Sequence, residues 1–190
     1  MLNNIPPTLP EGVAYISEFI SPADEGEIVA QLDRLPWSAE MKRRVQHFGY
    51  RYNYKARTVT SADFLGKLPR WLGFLATRLV ESGCFATLPD QVIANEYWPG
   101  QGISAHVDCV PCFGDTVVSI SLLSPCEMVF RQQSDGQVVS TIIHPRSAII
   151  LKGAGRYNWT HEIPARKSDR IDGIRVPRDR RISLTFRNVL

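Results

Sequence analysis

The chain predicts a mainly β fold, a jelly roll with helices ahead of it, and three observations carry that expectation. Helical periodicity is confined to the first 81 residues. From residue 91 the sequence breaks into about eight short β-rich runs separated by turn signals. No repeat, low-complexity tract or linker divides the 190 residues, so they read as one domain, with 1–90 as helical support and lid and 91–190 as jelly-roll core.

The elements follow in order. Ser21-Pro22 offers an N-cap serine with proline at the first helical position, and Ile28, Val29, Leu32 and Leu35 follow at helical spacing until Pro36 stops the run. A second helix spans Pro69 to Glu81, with Trp71, Leu72, Leu75, Leu79 and Val80 as its apolar stripe and Gly83 as its break. The expected strands are 91–97, 104–108, 116–122, 127–132, 138–144, 148–152, 158–163 and 181–189, with Ser134-Asp135-Gly136 as a hairpin turn.

Composition narrows the classes. Apolar residues at 44% and charged residues at 22% are ordinary for a soluble globular protein. The start, Met1 to Gly12, is polar and proline-rich, and no apolar run approaches the ~18 residues that span a bilayer. A soluble, cytoplasmic monomer with no membrane partner is therefore expected. The net charge of +3 is small, but it clusters. One basic and aromatic patch runs from Lys42 to Arg57, and a second from Arg166 to Arg181. Each reads either as a phosphate-tracking surface or as a solvated loop. Cys84, Cys109, Cys112 and Cys126 are too few for a secreted disulfide framework, and Cys109-Val-Pro-Cys112 reads as a zinc or redox pair or as a structural one.

The chemistry concentrates at His106 and Asp108. On a strand, positions i and i+2 share a face, so an imidazole and a carboxylate there can grip one metal ion, and His161 from another strand can complete a three-ligand set. Two histidines and one carboxylate with open positions opposite suit Fe(II) and O2. Arg181 and Arg187 share a face of the last strand. They read as surface arginines or, beside an iron site, as anchors for a dicarboxylate co-substrate. Tyr50, Tyr52 and Tyr54 alternate as on a strand and read as base-stacking surfaces or as core.

H-x-D, a distant histidine and then R-x5-R resembles the AlkB family of Fe(II)/2-oxoglutarate-dependent dioxygenases, across most of the chain. Asn95-Glu96-Tyr97 matches that family's N-x-Y element, and Tyr97 to Ile103 leads into the metal motif as it does there. Gly153 to His161 resembles the segment with the second histidine, and Gln46 to Tyr54 resembles the nucleotide-recognition lid. In detail the motifs are most similar to the tRNA wobble-uridine hydroxylase branch.

The resemblance implies a double-stranded β-helix. It implies iron held by His106, Asp108 and His161, and 2-oxoglutarate held by Arg181 with Tyr97 at one end and by Arg187 and Asn95 at the other. It implies an oxidoreductase consuming O2 and 2-oxoglutarate to give succinate, CO2 and a hydroxylated C–H, with formaldehyde release where that carbon is an N-methyl. Cys109 and Cys112 would then be oxidation targets near the iron. The duplex-DNA demethylases have an acidic residue two positions after the metal aspartate; here it is Val110, an apolar pocket edge.

The expected function is oxidative demethylation of alkylated bases in nucleic acid, single-stranded DNA or RNA, as in DNA repair or RNA modification. The alternatives are hydroxylation of a tRNA wobble modification, oxidation of a protein or small molecule, and a non-catalytic cupin-like binding module. Arg44, Tyr50, Tyr52, Tyr54 and Val110 are the expected substrate contacts.

Overall fold

The structure, a computed structural model, describes residues 9–190, so most of the proline-rich start lies outside the described residues. The chain runs β1 (Val13–Ile16), α1 (Pro22–Asp33), β2 (Arg44–Phe48), α2 (Arg70–Glu81), β3 (Gln91–Tyr97) and β4 (Ile103–His106). It continues through β5 (Val117–Leu122), β6 (Cys126–Gln132), β7 (Val138–Ile143), β8 (Ala148–Leu151), α3 (Gly153–Tyr157) and β9 (Trp159–Ile163). It closes with β10 (Ser168–Ile171), β11 (Ile174–Pro177) and β12 (Arg181–Arg187).

A six-stranded sheet, β1-β8-β5-β12-β3-β2, faces a four-stranded sheet, β4-β9-β6-β7, and the described pairings within both are antiparallel. This is the expected jelly roll. Alternation along the strands sorts its two faces. On β12, Ile182, Leu184 and Phe186 pack with Ile28, Leu32, Leu72, Leu75 and Leu79 of the two helices in one core. Arg181, Ser183, Thr185 and Arg187 turn the other way, into a cavity between the sheets. The second core, with Phe130, Ile143, Ile149 and Trp159, closes the barrel around that cavity.

The helices form for the reasons read from the sequence. Ser21 and Asp24 cap α1 reciprocally, each side chain accepting from the other's backbone N–H at 3.1 Å. α1 ends at Asp33, short of the expected Leu35, because the Leu35 N–H bonds back to the Leu32 carbonyl and leaves Leu35 exposed.

The first half is not helical throughout. β1 and β2 are both strands of the large sheet, β1 pairing with β8 and β2 with β3. At four and five residues they carry too little periodicity to be told from loops. Beyond β2 the expected alternation of tyrosines fails. Gly49 has φ +77°, and a Cβ there would stand 1.8 Å from the Asp90 carbonyl oxygen. Only glycine fits, and the chain turns out of the strand before Tyr50.

The Arg166–Arg181 patch forms a hairpin, β10–β11, and its flanks, and several of its arginines are paired with carboxylates inside and outside the patch. Arg178 bonds Asp169 at 2.6 and 2.8 Å, Arg166 pairs with Glu127 and Asp169, and Arg180 pairs with Asp33 and Glu96. Among the described residues no helix is long and apolar enough to cross a membrane.

Candidate metal and co-substrate site

β4 and β9 are antiparallel neighbours in which His106 and His161 face each other as register partners. Their rings lie 4.4 Å apart between centroids. The strand ends at His106, two residues earlier than expected, so Asp108 reaches the cluster from the chain beyond the strand rather than from a shared strand face. The ligand-type atoms of His106, Asp108 and His161 all lie within 4.8 Å of one another.

Polar partners set the state of each. His106 Nδ1 lies 2.7 Å from the Ser104 carbonyl oxygen, so Nδ1 donates there and leaves Nε2 facing Asp108, 3.9 Å away. Burial pushes His161 down to about 3, assisted by the nearby His106, so its ring is neutral at physiological pH. Burial opposes the charge on Asp108, but Arg187 and the two histidines outweigh it and hold the carboxyl well below the usual carboxylate range. Asp108 Oδ1 accepts from Arg187 Nη2 at 3.1 Å, while Oδ2 is buried with no hydrogen-bond partner among the described residues. An orphaned carboxylate oxygen beside two imidazoles fits a divalent cation: the donor set is complete and its charge is one short of balancing the ion.

The cavity holds about 350 Å³ and lies against this cluster. Arg181 and Tyr97 are register partners on β12 and β3, with the guanidinium carbon 5.4 Å from the ring centroid. Arg181 Nη2 donates to Ser121 Oγ at 2.7 Å, and its Nε is buried without a partner. A buried cation bonded only to a hydroxyl and an aromatic face is suited to take a carboxylate. Arg187 lines the cavity beside the cluster. It donates to Asp108 and, at 3.1 Å, to Gln91 Oε1, with its guanidinium 4.8 Å over Phe113. Asn95 lines the cavity and accepts from Arg43 Nε at 2.9 Å.

The expected substrate contacts divide. Tyr52 and Tyr54 line the cavity, packed edge to face at 5.1 Å, and Tyr52 lies 5.8 Å from Phe113. Tyr50 instead packs on Phe64, and Val110 is exposed in a turn; neither lines the cavity. Arg44 is on the wrong face of the sheet: it pairs with Glu96, Nη2 to Oε1 2.9 Å, and covers Trp37. Glu96 and Asn95 are consecutive on β3 and so point to opposite faces. Arg51 likewise is paired, with Glu40 at 2.6 Å. Cys109 and Cys112 form a disulfide that closes the turn just after Asp108, and Cys84 and Cys126 are buried free thiols.

One position escaped the sequence reading as a site residue, and another was read only as part of the Lys42–Arg57 basic patch. Arg156, almost fully buried on α3, donates to the backbone carbonyls of Asp108 at 3.0 Å and Cys109 at 3.4 Å and so fixes the loop that presents the carboxylate. Arg43, one residue before β2, is buried in the cavity. The available signal was alternation: Arg43 and Arg44 lead into a strand, so only one of them can face outward.

Residues 12–187 match the 2OG-Fe(II) oxygenase superfamily. The fold and the His-Asp-His cluster define the same class, and the chain belongs to it: an oxidoreductase that uses Fe(II), 2-oxoglutarate and O2. Within that class it belongs to the AlkB family, being 30% identical to the alpha-ketoglutarate-dependent dioxygenase alkB homolog 7, mitochondrial, of Bos taurus over 90% of this chain and 76% of that one. It is 33% identical to the uncharacterized protein L905 of Acanthamoeba polyphaga mimivirus, over 94% of this chain and 85% of that one. It is 33% identical to the alkylated DNA repair protein ALKBH8 homolog of Arabidopsis thaliana, over 94% of this chain and 58% of the relative. It is 35% identical to the tRNA (carboxymethyluridine(34)-5-O)-methyltransferase alkbh8 of Xenopus tropicalis, over 86% of this chain but 27% of the relative. The fold is shared with OsALKBH1 at TM-score 0.74 and 16% identity, over 95% of this chain and 98% of that one.

Proposed function

We propose that this oxygenase hydroxylates a modified base in RNA, with a tRNA wobble uridine as the favoured target. The carrying observation is the cavity itself, in which a cation site, a carboxylate-receiving arginine and a pair of tyrosines share one space. Relatives named for carboxymethyluridine at position 34 of tRNA supply the base class. Their methyltransferase title is not transferred, because the chain spans about a quarter of their length.

His106, Asp108 and His161 hold the iron, which when bound supplies activation of O2 coupled to oxidative decarboxylation of 2-oxoglutarate. Arg181 and Tyr97 fix the far carboxylate of the co-substrate, and Asn95 lies toward its other end. Arg187 acts through Asp108, keeping it ionised and oriented. Tyr52 and Tyr54 offer faces on which an unpaired base stacks. An accessible loop base costs less to seat than one drawn from a duplex.

Demethylation of alkylated bases is the second reading, favoured by the name of the Arabidopsis relative. One experiment separates them. The protein with Fe(II) and 2-oxoglutarate is given tRNA, alkylated single strands and duplexes, and the products are weighed. Gain of one oxygen on tRNA supports hydroxylation, and loss of a methyl with formaldehyde supports demethylation. Succinate formation stimulated by none of them would remove nucleic acid as the substrate.

A further inference from the structure

The cavity carries more positive charge than its chemistry consumes. Four arginines line it, Arg43, Arg57, Arg181 and Arg187, and Asp108 is the carboxylate among the lining residues. Arg187 is committed to Asp108, and Arg181 has the geometry for the far carboxylate of the co-substrate. Arg57 stands exposed at the rim, where a backbone phosphate would reach it. Arg43 remains. It is 9% exposed, its Nε is taken by the neutral Asn95 side chain, and among the described residues no carboxylate lies within salt-bridge distance of it. Its terminal nitrogens make no hydrogen bond to any described residue.

The terminal nitrogens of Arg43 keep accessible surface and face no counter-charge among the described residues, so they are free to take an anion. An anion carried by the substrate would supply the missing counter-charge. A phosphate of the polynucleotide chain does not suit the place, because Arg43 lies inside the cavity while the chain must stay outside it. A planar carboxylate carried by the base itself suits the fork of two free terminal nitrogens.

We propose that Arg43 is the specificity determinant of the cavity and receives a carboxylate carried on the substrate base. This rests on the RNA-base reading above and goes beyond it by fixing the charge of the substituent. The competing use of Arg43, a second grip on 2-oxoglutarate through Asn95, gives a different result in the test.

The test uses anticodon stem-loops with uridine bearing at C5 a carboxymethyl group, its methyl ester, or an aminomethyl group. Oxidation of each is followed by mass for the wild-type chain and for Arg43→Gln, Arg43→Lys and Arg43→Glu, and the 2-oxoglutarate KM is measured alongside. The wild type should favour the acid over the ester by about tenfold or more in kcat/KM. Arg43→Gln should erase that preference, Arg43→Lys should retain part of it, and Arg43→Glu should turn it toward the aminomethyl loop. Arg43→Lys, which keeps the charge, guards against a general loss of folding.

A wild type that oxidises acid and ester alike overturns the inference while leaving the RNA reading intact. So does an Arg43→Gln variant whose 2-oxoglutarate KM rises with the acid preference unchanged. A wild type that oxidises none of the loops while still converting 2-oxoglutarate to succinate overturns the RNA reading and this inference with it.

Discussion

At the scale of single residues, the site depends on groups that never touch a ligand. Arg156 grips two backbone carbonyls of the Asp108–Cys109 turn from a nearly sealed position. Outer-shell partners of this kind typically contribute 10- to 100-fold in metal affinity. Arg156→Met should therefore weaken Fe(II) binding by about that factor while His106 and Asp108 remain in place, read by anaerobic metal titration. Unchanged affinity would reduce Arg156 to a packing residue. Histidines set the acid limit of the metal-free protein. His47 is pushed down to about 4, first by burial and then by Arg51, so it is neutral when folded but protonates near 6.5 when unfolded. The unfolded chain then binds more protons, so this contribution is complete above about pH 6.5 and lost as pH falls toward 4. It amounts to about 2 kcal/mol after allowance for partial exposure. His47→Gln should flatten that slope in urea midpoints measured from pH 4 to 8, and a parallel slope would assign the loss elsewhere.

Among the elements, the β4–β9 pair matters most, because it brings His106 opposite His161. Its approach leaves no room beside Gly102, where a Cβ would stand 2.2 Å from the Ile163 carbonyl oxygen and 2.9 Å from the Ala165 nitrogen. Both are backbone atoms and cannot swing aside. Gly102→Ala should cost about 1–3 kcal/mol of stability and also lower metal affinity, since separating these strands separates the imidazoles. A variant that loses stability yet binds metal as before would uncouple the strand spacing from the site. Elements also show where sequence patterns were informative. α2 and β12 are long enough for their periods to be read, 3.6 in one and 2 in the other; α2 buries its apolar stripe, and β12 is buried on both faces, apolar toward the helices and polar toward the cavity. β1 and β2 are short, and they exist because β8 and β3 offer them an edge to pair with. No local pattern records such an offer.

For the whole molecule, the barrel is a frame whose two sheets contribute different halves of the site. The small sheet carries the histidines, and the large one carries Asn95, Tyr97, Arg181 and Arg187. A ligand gripping both sheets should brace the fold. Fe(II) with 2-oxoglutarate, each at about 100 times its Kd, should stabilise by about 2.7 kcal/mol per ligand, or several degrees in Tm. Chelation should reverse the shift, and Asp108→Ala should abolish the metal part of it; an equal shift in that variant would place the ion elsewhere. The amino-acid sequence alone determined the class, because His106, Asp108, His161, Arg181 and Arg187 are chemically distinctive side chains whose order and spacing are local properties. Only the tertiary structure decided what each charge was for. Arg43 and Arg44 are identical in type and adjacent in the chain, yet one is buried unpaired in the cavity and the other is spent on Glu96. Which of them keeps an unpaired guanidinium depends on which groups other strands bring opposite, and that is a property of the closed barrel rather than of any segment within it.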